Sequence, residues 1–146
     1  MPDFRRPESI LVIVHTGDLQ VLLLRRVSPF DFWQSVTGSL LQSESPADAA
    51  ARELVEETGL SVEGRLHDTG RARLFTIDPR WRDRFAPCVT ENLEHEWHYM
   101  LDSTVDVTLD PAEHSEWQWV PIDEVIEGGW SWTNREALES LRATCR

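Results

Sequence analysis

The 146-residue chain contains no lysine, only two cysteines and no long apolar run. Each shortage excludes something. Cys88 and Cys145 form no C-x-x-C pair, so neither a disulfide framework nor a zinc site is indicated, and a reducing compartment fits. The first apolar run, 10–14, ends at His15 and is too short for a signal-peptide core or a membrane span. A cytoplasmic location is therefore expected. Without lysine, all 14 basic residues are arginine; against 26 acidic residues they leave a net charge of −12. That balance weighs against duplex nucleic acid and anionic membranes, whose phosphates require a basic footprint. No obligate protein partner is indicated. The length, with 40% hydrophobic and 27% charged residues, predicts one soluble globular domain over 1–146.

The charge is segregated along the chain. Residues 85–134 hold no arginine and eleven acids, whereas 71–84 hold five arginines. Short β-branched runs at 9–15 and 21–24, joined by a tight turn, predict two strands. Further strands are expected at 33–37, 66–77, 95–101 and 117–120. Ser45 as N-cap, Pro46 at the first helical position, Asp48 in the first turn and Gly59 past the end mark a helix through Thr58. A short helix is predicted from Pro121 to Val125, and a C-terminal helix capped by Thr133 or Asn134. Strands with interspersed helices predict an α/β or α+β fold with a mixed sheet.

On the 46–58 helix, Glu53 lies beside Glu56 and Glu57 at i+3 and i+4, so three carboxylates share a face. Alone, such like-charge pairs cost roughly 0.2–0.5 kcal/mol each. A hard divalent cation reverses the sign, because clustered carboxylate oxygens are the ligands it takes. Gly38, Glu44, Arg52, Glu53, Glu56, Glu57 and Gly59, with aliphatic Leu54 and Leu60, satisfy G-x5-E-x7-R-E-U-x-E-E-x-G-U, U being aliphatic, at every fixed position. This pattern resembles the Nudix box. Ser43 departs from it mildly, since many members carry glycine just before the loop glutamate.

The resemblance implies a Nudix-type α/β/α sandwich built around the loop and helix of the box. It also implies an Mg²⁺-dependent hydrolase, with Mn²⁺ able to substitute, that cleaves a diphosphate joined to another group. Glu53 and Glu57 are implied as metal ligands and Glu56 as a further ligand or the base. Arg52 can reach Asp48, Glu56 or Glu44, and the resemblance favours Glu44, as a pair holding the loop on the helix.

Outside the box, Arg6-Pro7, Leu24-Arg25-Arg26, the 32–39 string FWQSVTGS, Arg84-Phe85-Ala86-Pro87, Glu113-His114 and the 131–135 string SWTNR resemble one branch of that family. Its members release pyrophosphate from dihydroneopterin triphosphate in folate biosynthesis. On that resemblance the partner is a small-molecule triphosphate. Arg5, Arg25 and Thr37 contact it, Phe75, Thr76, Ile77 and Asp78 line its pocket, Glu113 completes the metal site, and His114 and Ser131 sit by the ligand. Nucleoside triphosphates, including oxidised purine nucleotides, are the competing substrates. The five arginines of 71–84 could bind a triphosphate or form the wet face of a strand. The pairs Trp117/Trp119 and Trp130/Trp132 read as core residues more readily than as a stacking platform. His15, His67, His95 and His98 show no ligand spacing.

Overall fold

Strand β1 (Glu8–Thr16) is buried at eight of its nine positions, the signature of a central strand covered on both faces. It runs parallel to β6 (Glu91–Leu101) along its whole length, from Glu8 opposite Leu93 to Thr16 opposite Leu101. The computed structural model describes residues 4–129 and 131–145. The remaining strands are β2 (Gln20–Arg26), β3 (Phe32–Gln34), β4 (Val36–Ser39), β5 (Leu66–Thr76) and β7 (Glu116–Pro121). The main path of the sheet is β3-β2-β1-β6-β5, with β4 paired to β1 and β7 to β2.

Side-chain alternation on β1 divides the interior into two cores. Ile10, Val12 and Val14 pack with Leu22, Leu24, Val36 and with Ala49, Ala50 and Leu54 of α1 (Pro46–Thr58). Leu11 and Ile13 pack with Val21 and Leu23 against α2 (Ile122–Gly128) and α3 (Trp132–Thr144), through Ile122, Val125, Ala137, Leu138 and Leu141. A mixed sheet between helices is the expected α/β/α sandwich. No helix among the described residues is long and apolar enough to cross a membrane.

Three local expectations are corrected. The predicted 33–37 strand is two strands, because the chain changes partner at Ser35: β3 pairs with β2 and β4 with β1. Strand β6 begins at Glu91 rather than residue 95, since its polar residues Asn92, Glu94 and Glu96 face inward and disguise it. The C-terminal helix is capped by Ser131, whose Oγ accepts from the Asn134 N–H at 3.3 Å, rather than by Thr133 or Asn134. Trp117 and Trp119 pack against the α1-side core, and the Trp119 indole donates to Val105 O at 2.9 Å. Trp130 lies outside the described residues.

Candidate active site

Helix α1 presents its glutamates because both ends are fixed. Ser45 Oγ accepts from the Asp48 N–H at 3.1 Å, and Gly59 closes the other end with φ +71°, donating to Val55 O at 2.9 Å. Burying Ala49, Ala50 and Leu54 brings Glu53 and Glu57 to the edge of the same apolar stripe, where both are also buried. Glu56 falls on the open side.

Arg52 braces the loop to the helix. Its Nε and Nη2 donate to the two oxygens of Glu44 at 2.9 Å each, while Nη1 reaches Glu53 Oε1 at 2.5 Å and Glu56 Oε2 at 3.3 Å. Nη2 also donates to Ser39 O at 3.2 Å. The fork matches a carboxylate bidentately, which no lysine could do. Hydrogen bonding to Arg52 holds the Glu44 carboxyl below the usual range.

Gly38 explains the first position of the motif. A Cβ there would lie 2.7 Å from both Glu53 carboxylate oxygens. Ser43 takes φ +66°, a left-handed conformation that glycine adopts without penalty. Ser43→Gly is therefore expected to stabilise the protein by about 0.5–1 kcal/mol, the scale of a relieved left-handed residue net of the added chain entropy. Thermal unfolding checks it; an unchanged or lower Tm contradicts the strain.

Glu57 is 1% exposed, and neither of its carboxylate oxygens has a hydrogen-bond partner among the described residues. Burial first, and then the Glu53 and Glu113 carboxylates, push its carboxyl well above the usual range. Ligand atoms of Glu57, Glu113 and His114 lie within 4.8 Å of one another. Asp110 sets this up from a distant turn: its backbone oxygen accepts from the N–H groups of both Glu113 and His114 at 3.0 Å. The arrangement fits a divalent cation, which would satisfy the orphaned Glu57 oxygens and offset the repulsion.

His114 is buried against Gln34, with 2.8 Å between Gln34 Nε2 and its own Nε2, and burial lowers its pKa to about 4. The imidazole is thus neutral. Glu56, by contrast, is half-exposed, paired with Arg52 and outside the Glu57–Glu113–His114 group.

A cavity of about 1260 Å³ opens beside these carboxylates. Glu53 and Glu113 line it, as do Arg5, Arg26 and Thr37. Phe75, Thr76, Ile77, Asp78 and Ser131 line it too, although Asp78 also pairs with Arg80 at 2.8 Å and Ser131 caps α3. The Thr37 hydroxyl donates to Ile10 O at 2.8 Å.

Arg25 is held outside the lining of this cavity. It forms ion pairs with Asp31 at 2.6 Å and with Glu116, and it does not line the cavity; its neighbour Arg26 does. Asp31, from the loop before β3, and Glu116, at the start of β7, hold the Arg25 guanidinium between them.

The five arginines of 71–84 also separate. Arg71 and Arg73 pair with buried Glu96, and Arg80 pairs with Asp78 while its guanidinium sits 3.6 Å over the Phe30 ring. Arg84 joins Arg5 and Arg26 in lining a smaller adjoining cavity of about 290 Å³. Burial, and then Arg84 and Arg26, lower the Arg5 pKa. Trp81, with rings of Phe30 and Phe32 at 5.4 and 5.8 Å, adds an aromatic wall that sequence reading missed.

A model of the NUDIX domain matches residues 5–141. The chain belongs to the Nudix family. This Nudix hydrolase is 36% identical, over 142 residues, to the dihydroneopterin triphosphate diphosphatase of Escherichia coli K12, covering 94% of this chain and 93% of that protein. A Haemophilus influenzae protein of the same name is 34% identical, covering 95% of this chain and 89% of that one. The solved structure of the E. coli dihydroneopterin triphosphate pyrophosphohydrolase superposes with a TM-score of 0.87, covering 94% of this Nudix chain and 95% of the other.

Proposed function

We propose that this Nudix hydrolase is an Mg²⁺-dependent pyrophosphohydrolase that converts dihydroneopterin triphosphate to dihydroneopterin monophosphate and pyrophosphate. The supporting observation is one cavity lined both by Glu53 and Glu113 and by aromatic and apolar side chains, among them Phe30, Trp33, Phe75 and Trp81. Full-length similarity to two diphosphatases of that substrate adds to it.

In this reading Glu53, Glu57 and Glu113 hold Mg²⁺, with Mn²⁺ able to substitute and Glu56 available if it leaves Arg52. A divalent cation supplies charge compensation at the phosphate oxygens and lowers the pKa of water bound to it. The chain's own residues do the remainder. Arg5, Arg26 and Arg84 receive the triphosphate through planar forks suited to phosphate oxygens. A carboxylate that takes a proton from the attacking water must reach the cavity, and Glu53 lines it. Arg52 and Glu44 act by positioning Glu53. Thr37, Phe75, Thr76, Ile77, Asp78 and Ser131 contribute the wall, and His114 supports the metal side as a neutral imidazole.

The test is a comparison of kcat/KM for dihydroneopterin triphosphate and the four dNTPs with Mg²⁺, with products identified by phosphorus NMR. The expected result is preference for the pterin and release of pyrophosphate. A higher kcat/KM on any dNTP replaces this reading with a nucleotide pyrophosphatase.

A further inference from the structure

On β6 the residues Asn92, Glu94, Glu96 and His98 alternate onto the face that meets α3. Two of them are buried carboxylates with opposite surroundings. Glu96 is 1% exposed and contacts three bases, Arg71 at 2.8 Å, Arg73 at 2.7 Å and His98 at 2.6 Å. Glu94 is 8% exposed and makes no ion pair among the described residues. The Thr133 hydroxyl, presented by the first turn of α3 and 3.0 Å from Ser131 Oγ, acts to lower the Glu94 pKa. The nearest guanidinium, that of Arg73, is already engaged by Glu96 and by Glu136 at 3.5 Å.

Glu94 lines the large cavity. Asn92, hydrogen-bonded to Ser9 Oγ at 2.8 Å, and Leu11, Leu23, Trp33 and Thr133 line the same cavity. The mechanism uses none of these residues. An apolar chamber with a few convergent polar groups is the usual form of a small-molecule site. A buried carboxylate facing it without a cation is costly unless something in the chamber donates to it. Burial holds this carboxyl up at about 7, so donors that favour its ionised form are what the site lacks.

We propose that Glu94 is the specificity residue for the ring: its two carboxylate oxygens accept a pair of adjacent N–H donors from a 2-amino-4-oxo-pyrimidine edge. The inference rests on the reading that this chamber receives the ring of a pterin triphosphate. An ionised carboxylate only accepts, and it does so through two parallel oxygens. A pterin presents a ring N–H beside an exocyclic amino group on one edge, and guanine presents the same pair. Adenine and cytosine each place an acceptor beside their amino group, and thymine has no amino group. A site built around such a donor pair rejects rings that lack it, because the buried acceptor is then left unmatched. Trp33 on the chamber wall supplies apolar contact, and Asn92 with Ser9 supplies further hydrogen-bonding capacity.

The experiment compares wild type with Glu94→Gln and Glu94→Asp, using dihydroneopterin triphosphate, dGTP and dATP as substrates with Mg²⁺, and neopterin, which has no phosphate, as a metal-free binding probe. Circular dichroism and Tm establish that each variant is folded. In the wild type, kcat/KM is expected to rank the pterin and dGTP above dATP. In Glu94→Gln, which offers one acceptor and one donor, the ratio of kcat/KM for dihydroneopterin triphosphate over dATP falls at least 30-fold. Most of the loss is in KM, and neopterin binding weakens at least 20-fold. Glu94→Asp keeps both acceptors and recovers part of the ratio. A folded Glu94→Gln protein whose ratio and neopterin affinity stay within threefold of wild type overturns the assignment while leaving the proposed reaction standing. A wild-type enzyme that prefers dATP overturns both.

Discussion

Glu57→Gln is expected to lower kcat about a thousandfold while making the metal-free protein more stable. The two effects have one origin. Glu57 is fully buried, its oxygens lack hydrogen-bond partners among the described residues, and Glu53 and Glu113 add negative charge beside it. A neutral amide of the same shape removes the like-charge repulsion and can donate to Glu53, which favours the fold by about 1–2 kcal/mol. The same change removes a charged oxygen from the proposed metal site. A cation there is asked for several kcal/mol of transition-state stabilisation, and about 4 kcal/mol corresponds to a factor of 10³. Steady-state kinetics with Mg²⁺ and thermal unfolding in a chelator measure the pair. Wild-type protein should also gain stability with added Mg²⁺, about 2.7 kcal/mol at a hundred times Kd, and the variant should gain little. Turnover within threefold of wild type would remove Glu57 from the metal site.

Glu96→Gln on the opposite face should cost about 2 kcal/mol at neutral pH, after the ideal value of about 3 is discounted for the screening of half-exposed Arg71. Burial alone would raise the Glu96 carboxyl, but hydrogen bonds from His98, Arg71 and Arg73 outweigh it and bring the group down to about 2. Because the folded value lies below the unfolded value near 4.3, the contribution is complete above that pH and is lost as the pH falls through about 2. The Tm gap between wild type and variant should therefore be about 6 °C at pH 7 and close progressively below pH 4. A gap that stays constant from pH 7 to pH 2.5 would show that packing, not charge, carries the effect. Arg71 and Arg73 thus serve the fold through Glu96 and Arg80 through Asp78, while Arg84 borders the site.

The boundaries of α1 were legible because every signal for them is local: Ser45, Pro46 and Gly59 act on backbone groups within one turn. Strand β6 was read short for the opposite reason. Its inward positions carry Asn92, Glu94 and Glu96, and a buried glutamate resembles a solvated one until its partner is known. The choice between Arg25 and Arg26 turned on Asp31 and Glu116, which reach Arg25 from a loop and from β7 and which the three-residue string does not display. Ser131 capping α3 and Thr133 facing Glu94 likewise depend on where the helix starts.

By itself the sequence determined the loop and helix that carry Gly38, Glu44, Arg52, Glu53, Glu57 and Gly59, and with them the family. Those residues lie within 22 positions and meet through a single turn and a helical repeat, so spacing is enough to specify their geometry. The resemblance implied Glu113 and Arg5; tertiary structure shows which elements carry them and adds Arg26 and Arg84. Glu113 arrives from the turn at Asp110, Arg5 from the N-terminal segment, Arg26 from the end of β2 and Arg84 from a 3₁₀ turn, Pro79–Arg84. It also decided which of two neighbouring buried glutamates is neutralised and which is left facing the cavity. That distinction depends on cations supplied by β5, and no pattern within β6 encodes it.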